Sequence, residues 1–166
     1  WKDSLTLWTH EVELYPIVFA YRNRAAEYKR LSMTEKEIGD YTVIINSGGQ
    51  PDLDQVYISR ATAYKKLGDD ASALEDLNLA IGFKASVAAL NNRGNLYRES
   101  GNPRRAIEDF SRAVEIDPAN ASVYFNMALA YIGAGDKEGA RRNFMKAAGL
   151  GLKAAEEYIN RDELRK

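Results

Sequence analysis

A short motif, in which a small residue is followed three positions later by tyrosine, constrains the fold of this chain more than any other feature. It recurs at Ala25–Tyr28, Ala61–Tyr64, Gly94–Tyr97 and Ala128–Tyr131, in steps of 36, 33 and 34 residues. Self-similarity at such a period is typical of a solenoid, in which each repeat is one supersecondary unit that stacks on the next. The sequence therefore predicts a repeat protein.

Composition excludes several classes of function. The 166 residues carry a formal net charge of −1, so no bulk attraction to nucleic acid or to a membrane surface is expected. The chain has no cysteine and a single histidine, His10, which argues against thiolate chemistry and against a zinc site. No apolar run approaches the roughly 18–20 residues of a membrane span. The sequence predicts no metal and no cofactor.

Each copy of the motif belongs to a pair of amphipathic helices. In the three regular copies, the inward stripe of the first helix holds Tyr57, Ala61 and Tyr64; Leu90, Gly94 and Tyr97; and Tyr124, Ala128 and Tyr131. The stripe of the second helix holds Ala73, Leu77 and Ala80; Ala106, Phe110 and Ala113; and Ala140, Phe144 and Ala147. Small residues let the two backbones approach to ~8–10 Å. One such pair buries too little surface to be stable alone, so the pairs are expected to stack.

The pattern resembles the tetratricopeptide repeat (TPR) family over roughly residues 18–154. The resemblance implies an all-α fold, a right-handed α-α superhelix of antiparallel helix pairs. Repeats are predicted at 18–51 (divergent), 54–86, 87–120 and 121–154, with an orphan helix of a degenerate repeat at 1–17 and a C-terminal capping helix at 152–166, all in one continuous domain.

The first repeat departs from the others. Glu37 and Ile44 stand where the other repeats have alanine, which predicts that its two helices pack less closely. Thr34 and Glu37 also have the spacing of a capping box, in which the glutamate reaches back to the start of the helix.

The resemblance further implies that a partner protein or peptide binds in a concave groove lined by the first helices. The positions expected to face that groove give the candidate peptide-binding residues Asn23, Ser59, Thr62, Asn92, Asn95 and Asn126. An asparagine carboxamide donates and accepts hydrogen bonds at once, so such a ladder can hold an extended peptide by its backbone. The alternative is a polar face that is merely solvated.

A carboxylate clamp, which some TPR domains use to bind the C-terminal acid of a peptide, is disfavoured. The clamp needs lysine and arginine side chains on the groove face. The corresponding positions here hold Phe19, Gln55, Ala88 and Ser122.

Three arginines are each followed sixteen residues later by an aspartate. The predicted structural ion pairs are Arg24–Asp40, Arg60–Asp76 and Arg93–Asp109. In the fourth repeat both positions are uncharged, as Met127 and Asn143. Because the two charges disappear together, we expect each arginine to pair with the aspartate of its own repeat. The alternative is a basic ladder for an acidic ligand.

The sequence has no nucleophile placed beside a base and no glycine-rich phosphate loop, which predicts a noncatalytic protein-interaction module. The leader Trp1–Trp8, followed by Tyr15 and Pro16, resembles the segment that joins membrane spans to TPR repeats in some glycosyltransferase-like membrane proteins. That resemblance implies a noncatalytic, extracytoplasmic region of a larger membrane-bound enzyme, without direct membrane contact by this fragment. A start at Trp1 rather than methionine likewise predicts a fragment. A third hypothesis is a self-association scaffold, a homo-oligomer formed through the Trp8 end.

Overall fold

The computed structural model describes residues 3–48 and 52–159, and these residues form α-helices and no strand. The helices are α1 (Ser4–Leu14), α2 (Val18–Arg30), α3 (Thr34–Ser47), α4 (Leu53–Lys66), α5 (Asp70–Phe83), α6 (Val87–Glu99), α7 (Pro103–Ile116), α8 (Ala121–Gly133), α9 (Lys137–Gly149) and α10 (Lys153–Ile159). The chain divides into two compact units, unit 1 (Trp1–Lys84) and unit 2 (Ala85–Lys166). The all-α class predicted from the repeat is confirmed.

Unit 1 is built from helix pairs. Helix α2 packs on α3 and α4 packs on α5, while α3 also contacts α4 and α1 covers α2. The small residues Ala25, Ala61 and Ala73 are almost completely buried, as are the larger Ile44 and Leu77. The core therefore lies between paired helices, where the small residues allow close approach and the larger ones fill the remaining space.

Unit 2 repeats this arrangement and ends on aromatic packing. Helix α6 packs on α7, α8 packs on α9, α7 contacts α8, and α10 covers α9. The ring of Phe144 is fully buried and stacks on Tyr158 of α10, with ring centroids 4.8 Å apart. Residues 160–166, the remainder of the predicted capping helix, lie outside the described residues, and the division of the chain into repeats stays a prediction.

The turns inside three of the helix pairs use a glycine in the left-handed region. Gly68, Gly101 and Gly135 have φ values of 77°, 75° and 77°, which a residue without a Cβ adopts at little cost. Between α2 and α3 the same place is held by Ser32, whose φ is 57°. Ser32 is the one described non-glycine residue with a positive φ, so the first turn carries backbone strain that the others avoid.

The capping box predicted at the start of α3 is wrong. The N-cap residue is Met33, with no side-chain cap, and Glu37 is 1% exposed. Its Oε2 lies 3.6 Å from Lys66 Nζ of α4 and makes no hydrogen bond. Glu37 cannot reach back to the helix start because it occupies the buried alanine position of the repeat. Burial, together with the charge of Glu37, raises the pKa of Tyr41.

Candidate functional site

The three arginine–aspartate sets come together as bidentate ion pairs. Arg24 approaches Asp40 with Nη2–Oδ1 and Nε–Oδ2 distances of 2.7 and 2.9 Å. The corresponding distances are 2.8 and 2.8 Å for Arg60–Asp76, and 2.6 and 2.8 Å for Arg93–Asp109. The aspartates are at most 5% exposed, and hydrogen bonding to them raises the pKa of each arginine. These guanidinium groups are committed to the scaffold, which leaves little basis for an acidic-ligand ladder.

The fourth helix pair replaces this arrangement with uncharged contacts. Met127 is 6% exposed, and its sulfur lies 3.7 Å from the hydroxyl of Ser111 on α7. Asn143 donates to the carbonyl oxygen of Gly139 in its own helix. In unit 1 the position equivalent to Ser111 is Thr42, whose hydroxyl accepts from Arg60. The same two positions thus make a contact whether they are polar or apolar.

In unit 2 the first helix of each pair turns one face away from its partner. Gly94 faces α7 so closely that a methyl group there would lie 2.7 Å from the ring of Phe110. Residues two positions away from the core-facing stripe lie about 200° around the helix, on the opposite side. We call the residues at these positions the open face of unit 2: Ala88, Asn92 and Asn95 of α6, and Ser122, Asn126 and Leu129 of α8.

Carboxamide groups cluster on the open face of unit 2. Asn126 Nδ2 donates to Asn91 Oδ1 over 2.9 Å, which joins α8 to α6. Asn92 and Asn95 are half-buried, and their side chains form no hydrogen bond with any other described residue. Each of these two carboxamides therefore retains two donors and one acceptor for a ligand.

Asn91 is a member of this cluster that the sequence did not single out. It precedes the predicted ladder position by one residue, so it lies on the side of α6 that faces α8. Its signal in the sequence is the doublet Asn91–Asn92, because adjacent side chains of a helix point about 100° apart and one of the two can then face a neighbouring helix.

The candidate groove residues of unit 1 interact with other residues of the same unit. Asn23 Nδ2 donates to the carbonyl oxygen of Phe19, and Thr62 Oγ1 donates to that of Ile58, each over 2.8 Å. Ser59 is half-buried, and its side chain interacts with that of Tyr41. Of the six predicted groove residues, Asn23, Thr62 and Asn126 hydrogen-bond within the fold and Ser59 interacts with Tyr41, whereas the side chains of Asn92 and Asn95 have no such partner.

An apolar surface adjoins the carboxamides. Leu129 and Phe125 are half-buried and pack on the cluster around Phe144. The ring of Phe125 meets the rings of Phe144 and Tyr158 edge-on, at 5.3 Å in each case. We call Phe125 and Leu129 the apolar shelf. Its aromatic member is fixed by these contacts.

Other features of the described residues add no second site. No group of three histidine, aspartate or glutamate side chains in them is placed to hold a metal ion. None of the described helices is both long and apolar enough to cross a bilayer. Four large apolar or aromatic residues around the junction of α1 and α2 are exposed: Leu14, Tyr15, Ile17 and Phe19. The ring of Trp8 meets the ring of Phe19 edge-on, with centroids 5.7 Å apart. Self-association through this end stays a prediction.

Family models match much of the chain. Models of the tetratricopeptide repeat match residues 54–86 and 121–150, and a TPR repeat model matches residues 94–135. The mitochondrial import receptor subunit TOM70 of Homo sapiens is 30% identical over 106 residues, which cover 61% of this chain and 17% of that protein. The chain spans less than a fifth of the length of the curated relatives it matches.

Solved structures match across both units. The crystal structure of MamA has a TM-score of 0.82 at 20% identity, covering 92% of this chain and 89% of MamA. YrrB, described as a TPR protein with an unusual peptide-binding site, has a TM-score of 0.78 at 20% identity, covering 93% of this chain and 80% of YrrB. At this identity the likeness shows the fold, and the predicted TPR superhelix is confirmed. The chain belongs to the tetratricopeptide repeat family.

Proposed function

We propose that this chain is a noncatalytic protein-interaction module that holds an extended segment of a partner protein or peptide against the open face of unit 2. The observation that carries the proposal is the pair of half-buried carboxamides, Asn92 and Asn95, without internal partners. A half-buried polar group has lost part of its hydration, so a ligand that supplies hydrogen bonds gains stability there. A peptide group offers one donor and one acceptor, which a carboxamide can satisfy together.

The dimensions of the face suit an extended chain. Packed helices lie ~8–10 Å apart, and an extended strand rises ~3.3 Å per residue. Helices α6 and α8 belong to different pairs but are in contact. A segment that crosses from α6 to α8 therefore advances about three residues between the two helices. In this proposal Asn92 and Asn95 bond the backbone of the segment on α6, and the segment meets Asn126, which is hydrogen-bonded to Asn91, on α8.

The relatives are consistent with this role. TOM70 is an import receptor subunit, and YrrB has a peptide-binding site. The charged side chains that stand out in the repeat are engaged in ion pairs of the scaffold rather than arranged around a reacting centre.

The test uses a phage-displayed library of random peptides of about twelve residues, enough to cross three helices. Peptides selected on the parent chain are measured by calorimetry against Asn92→Ala/Asn95→Ala. Loss of two hydrogen bonds should weaken binding about tenfold, since each contributes about 0.5–1.5 kcal/mol.

The matched control is Asn23→Ala, which removes a carboxamide that is bonded to its own helix. This variant should bind within about twofold of the parent. Circular dichroism checks that helical content is unchanged in both variants. Peptides that bind the double variant as tightly as the parent would contradict the proposal.

A further inference from the structure

We infer that the segment bound by the open face of unit 2 is uncharged where it crosses the face, and that it places one bulky apolar side chain on the apolar shelf. This inference rests on the proposed function and adds the chemical class of the ligand. It follows from the absence of charge on the face and from the packing of Leu129 and Phe125.

The open face of unit 2 carries no ionisable side chain. Its members are two alanine or serine residues, three asparagines and one leucine. At the end of α6, Arg98 and Glu99 pair with each other at 3.3 Å. A charged ligand group brought onto the face would lose hydration without gaining an opposite charge, so charged segments are disfavoured.

The apolar half of the site comes from one difference between the two helices. Leu129 of α8 occupies the position that Asn95 occupies in α6. Beside it, Phe125 is held by the rings of Phe144 and Tyr158. Because this surface is already ordered, an apolar side chain that covers it gains burial without ordering the protein.

The spacing links the two halves. A segment bonded through its backbone on α6 should reach the shelf about three residues further on, because α6 contacts α8 and packed helices lie ~8–10 Å apart. The ligand should therefore combine a stretch recognised by its backbone with one leucine, isoleucine, phenylalanine or methionine at that distance.

Acidic segments are the competing ligand class. In unit 1 the last turns of α2 and α4 carry Lys29, Arg30, Lys65 and Lys66. An acidic segment would be attracted to these turns rather than to the uncharged face, and its binding would weaken as salt is added. Salt dependence therefore separates the two classes.

The same selected peptides test the inference. We expect them to be uncharged at their centre, with one bulky apolar residue in common. Their affinity should change less than about twofold between 0.05 and 0.5 M NaCl. Replacing the shared apolar residue of the peptide by aspartate should weaken binding at least about tenfold.

Variants of the shelf provide the second measurement. Leu129→Ala should weaken binding about tenfold, whereas Leu129→Met, which retains an apolar side chain of similar volume, should bind within about twofold of the parent. The control is Met145→Ala, which shortens an apolar side chain that is 54% exposed on α9, away from this face. Circular dichroism and thermal melts check that each variant is folded.

The outcomes separate the inference from the proposed function. Charged peptides that bind in a salt-dependent way but still require Asn92 and Asn95 would overturn the inference alone. Equal binding of an uncharged peptide by parent and Leu129→Ala would do the same. Equal binding of the peptides by the parent and by Asn92→Ala/Asn95→Ala would overturn both the inference and the proposed function. A library that yields no binding peptide would do the same.

Discussion

The first helix pair, α2–α3, and the fourth, α8–α9, have equivalent positions at the same spacing in the sequence, but different side chains occupy them. The first pair encloses the Arg24–Asp40 ion pair and a buried Glu37. At the corresponding positions the fourth has Met127, Asn143 and Ala140, with the ring of Phe144 stacked on α10. Both pairs keep a small residue and a tyrosine on the first helix, as Ala25 with Tyr28 and Ala128 with Tyr131. The ion pair of the first pair has no counterpart in the fourth, whose two helices still pack together.

The same contrast separates the surfaces of the two regions. Around the first pair the candidate groove side chains are satisfied within the fold, as Asn23 is by Phe19. On the fourth pair the apolar interior continues outward through Phe125 to Leu129. Residue type alone therefore does not reveal which polar side chains of a helix face are already hydrogen-bonded within the fold.

The largest effect should come from breaking the ion pair of the first helix pair. Asp40→Ala leaves the 16%-exposed side chain of Arg24 without its partner, and we expect a loss of about 3 kcal/mol in unfolding free energy. Urea unfolding followed by circular dichroism measures it. The matched change in the fourth pair, Asn143→Ala, should cost less than about 1 kcal/mol. Equal losses would remove the contrast between the pairs.

The converse experiment installs the ion pair in the fourth helix pair. Met127→Arg buries an unpaired charge and should destabilise the chain by about 2–3 kcal/mol. Adding Asn143→Asp should recover most of this loss. The double-mutant cycle is expected to give a coupling energy of about 2 kcal/mol. A coupling near zero would mean that the geometry of the first three pairs is not available in the fourth.

A smaller effect is expected where Glu37 replaces the alanine of the repeat. Glu37→Met removes a buried carboxylate with an unbonded oxygen and keeps most of the volume, so stability should rise by about 1 kcal/mol. Lys66 is 42% exposed and remains hydrated without its partner. Thermal unfolding at neutral pH measures the change. A lower melting temperature would show that the Glu37–Lys66 contact is net stabilising.

The smallest effect concerns the turn of the first pair. Ser32→Gly should stabilise the chain by about 0.5–1 kcal/mol, because its φ of 57° is costly for any residue with a Cβ. Gly135→Ser makes the opposite change in the fourth pair, where φ is 77°, and should cost a similar amount. If neither substitution changed the free energy of unfolding, the positive φ at these turns would not affect stability.

Much of the fold was predictable because residues that recur at the same spacing make equivalent contacts in successive helix pairs. The small residues at Ala61, Gly94 and Ala128 and the turn glycines predicted helix pairs, and the structure has them. The sixteen-residue spacing of arginine and aspartate is also the spacing of three bidentate contacts. Such features depend on periodicity, which one sequence displays several times over.

The details that the sequence did not reveal depend on a choice between alternative partners. Glu37 has capping-box spacing, yet burial at the alanine position keeps it from the helix start. Asn126 bonds to Asn91 of the neighbouring helix, while Asn23 bonds to its own backbone. A carboxamide or carboxylate has several acceptors or donors within reach, and only the assembled surroundings decide which one it uses.

The three ion pairs also bear on how the chain acquires its structure. Each joins residues sixteen apart, so a single hairpin brings its two charges together without help from distant sequence. Contacts of such short range favour fast folding. Neighbouring helices complete the burial of each ion pair. Thr42 of α3, for example, accepts a hydrogen bond from Arg60 of α4. Each hairpin can therefore form its ion pair early in folding, and stacking of the neighbouring helices afterwards buries that pair.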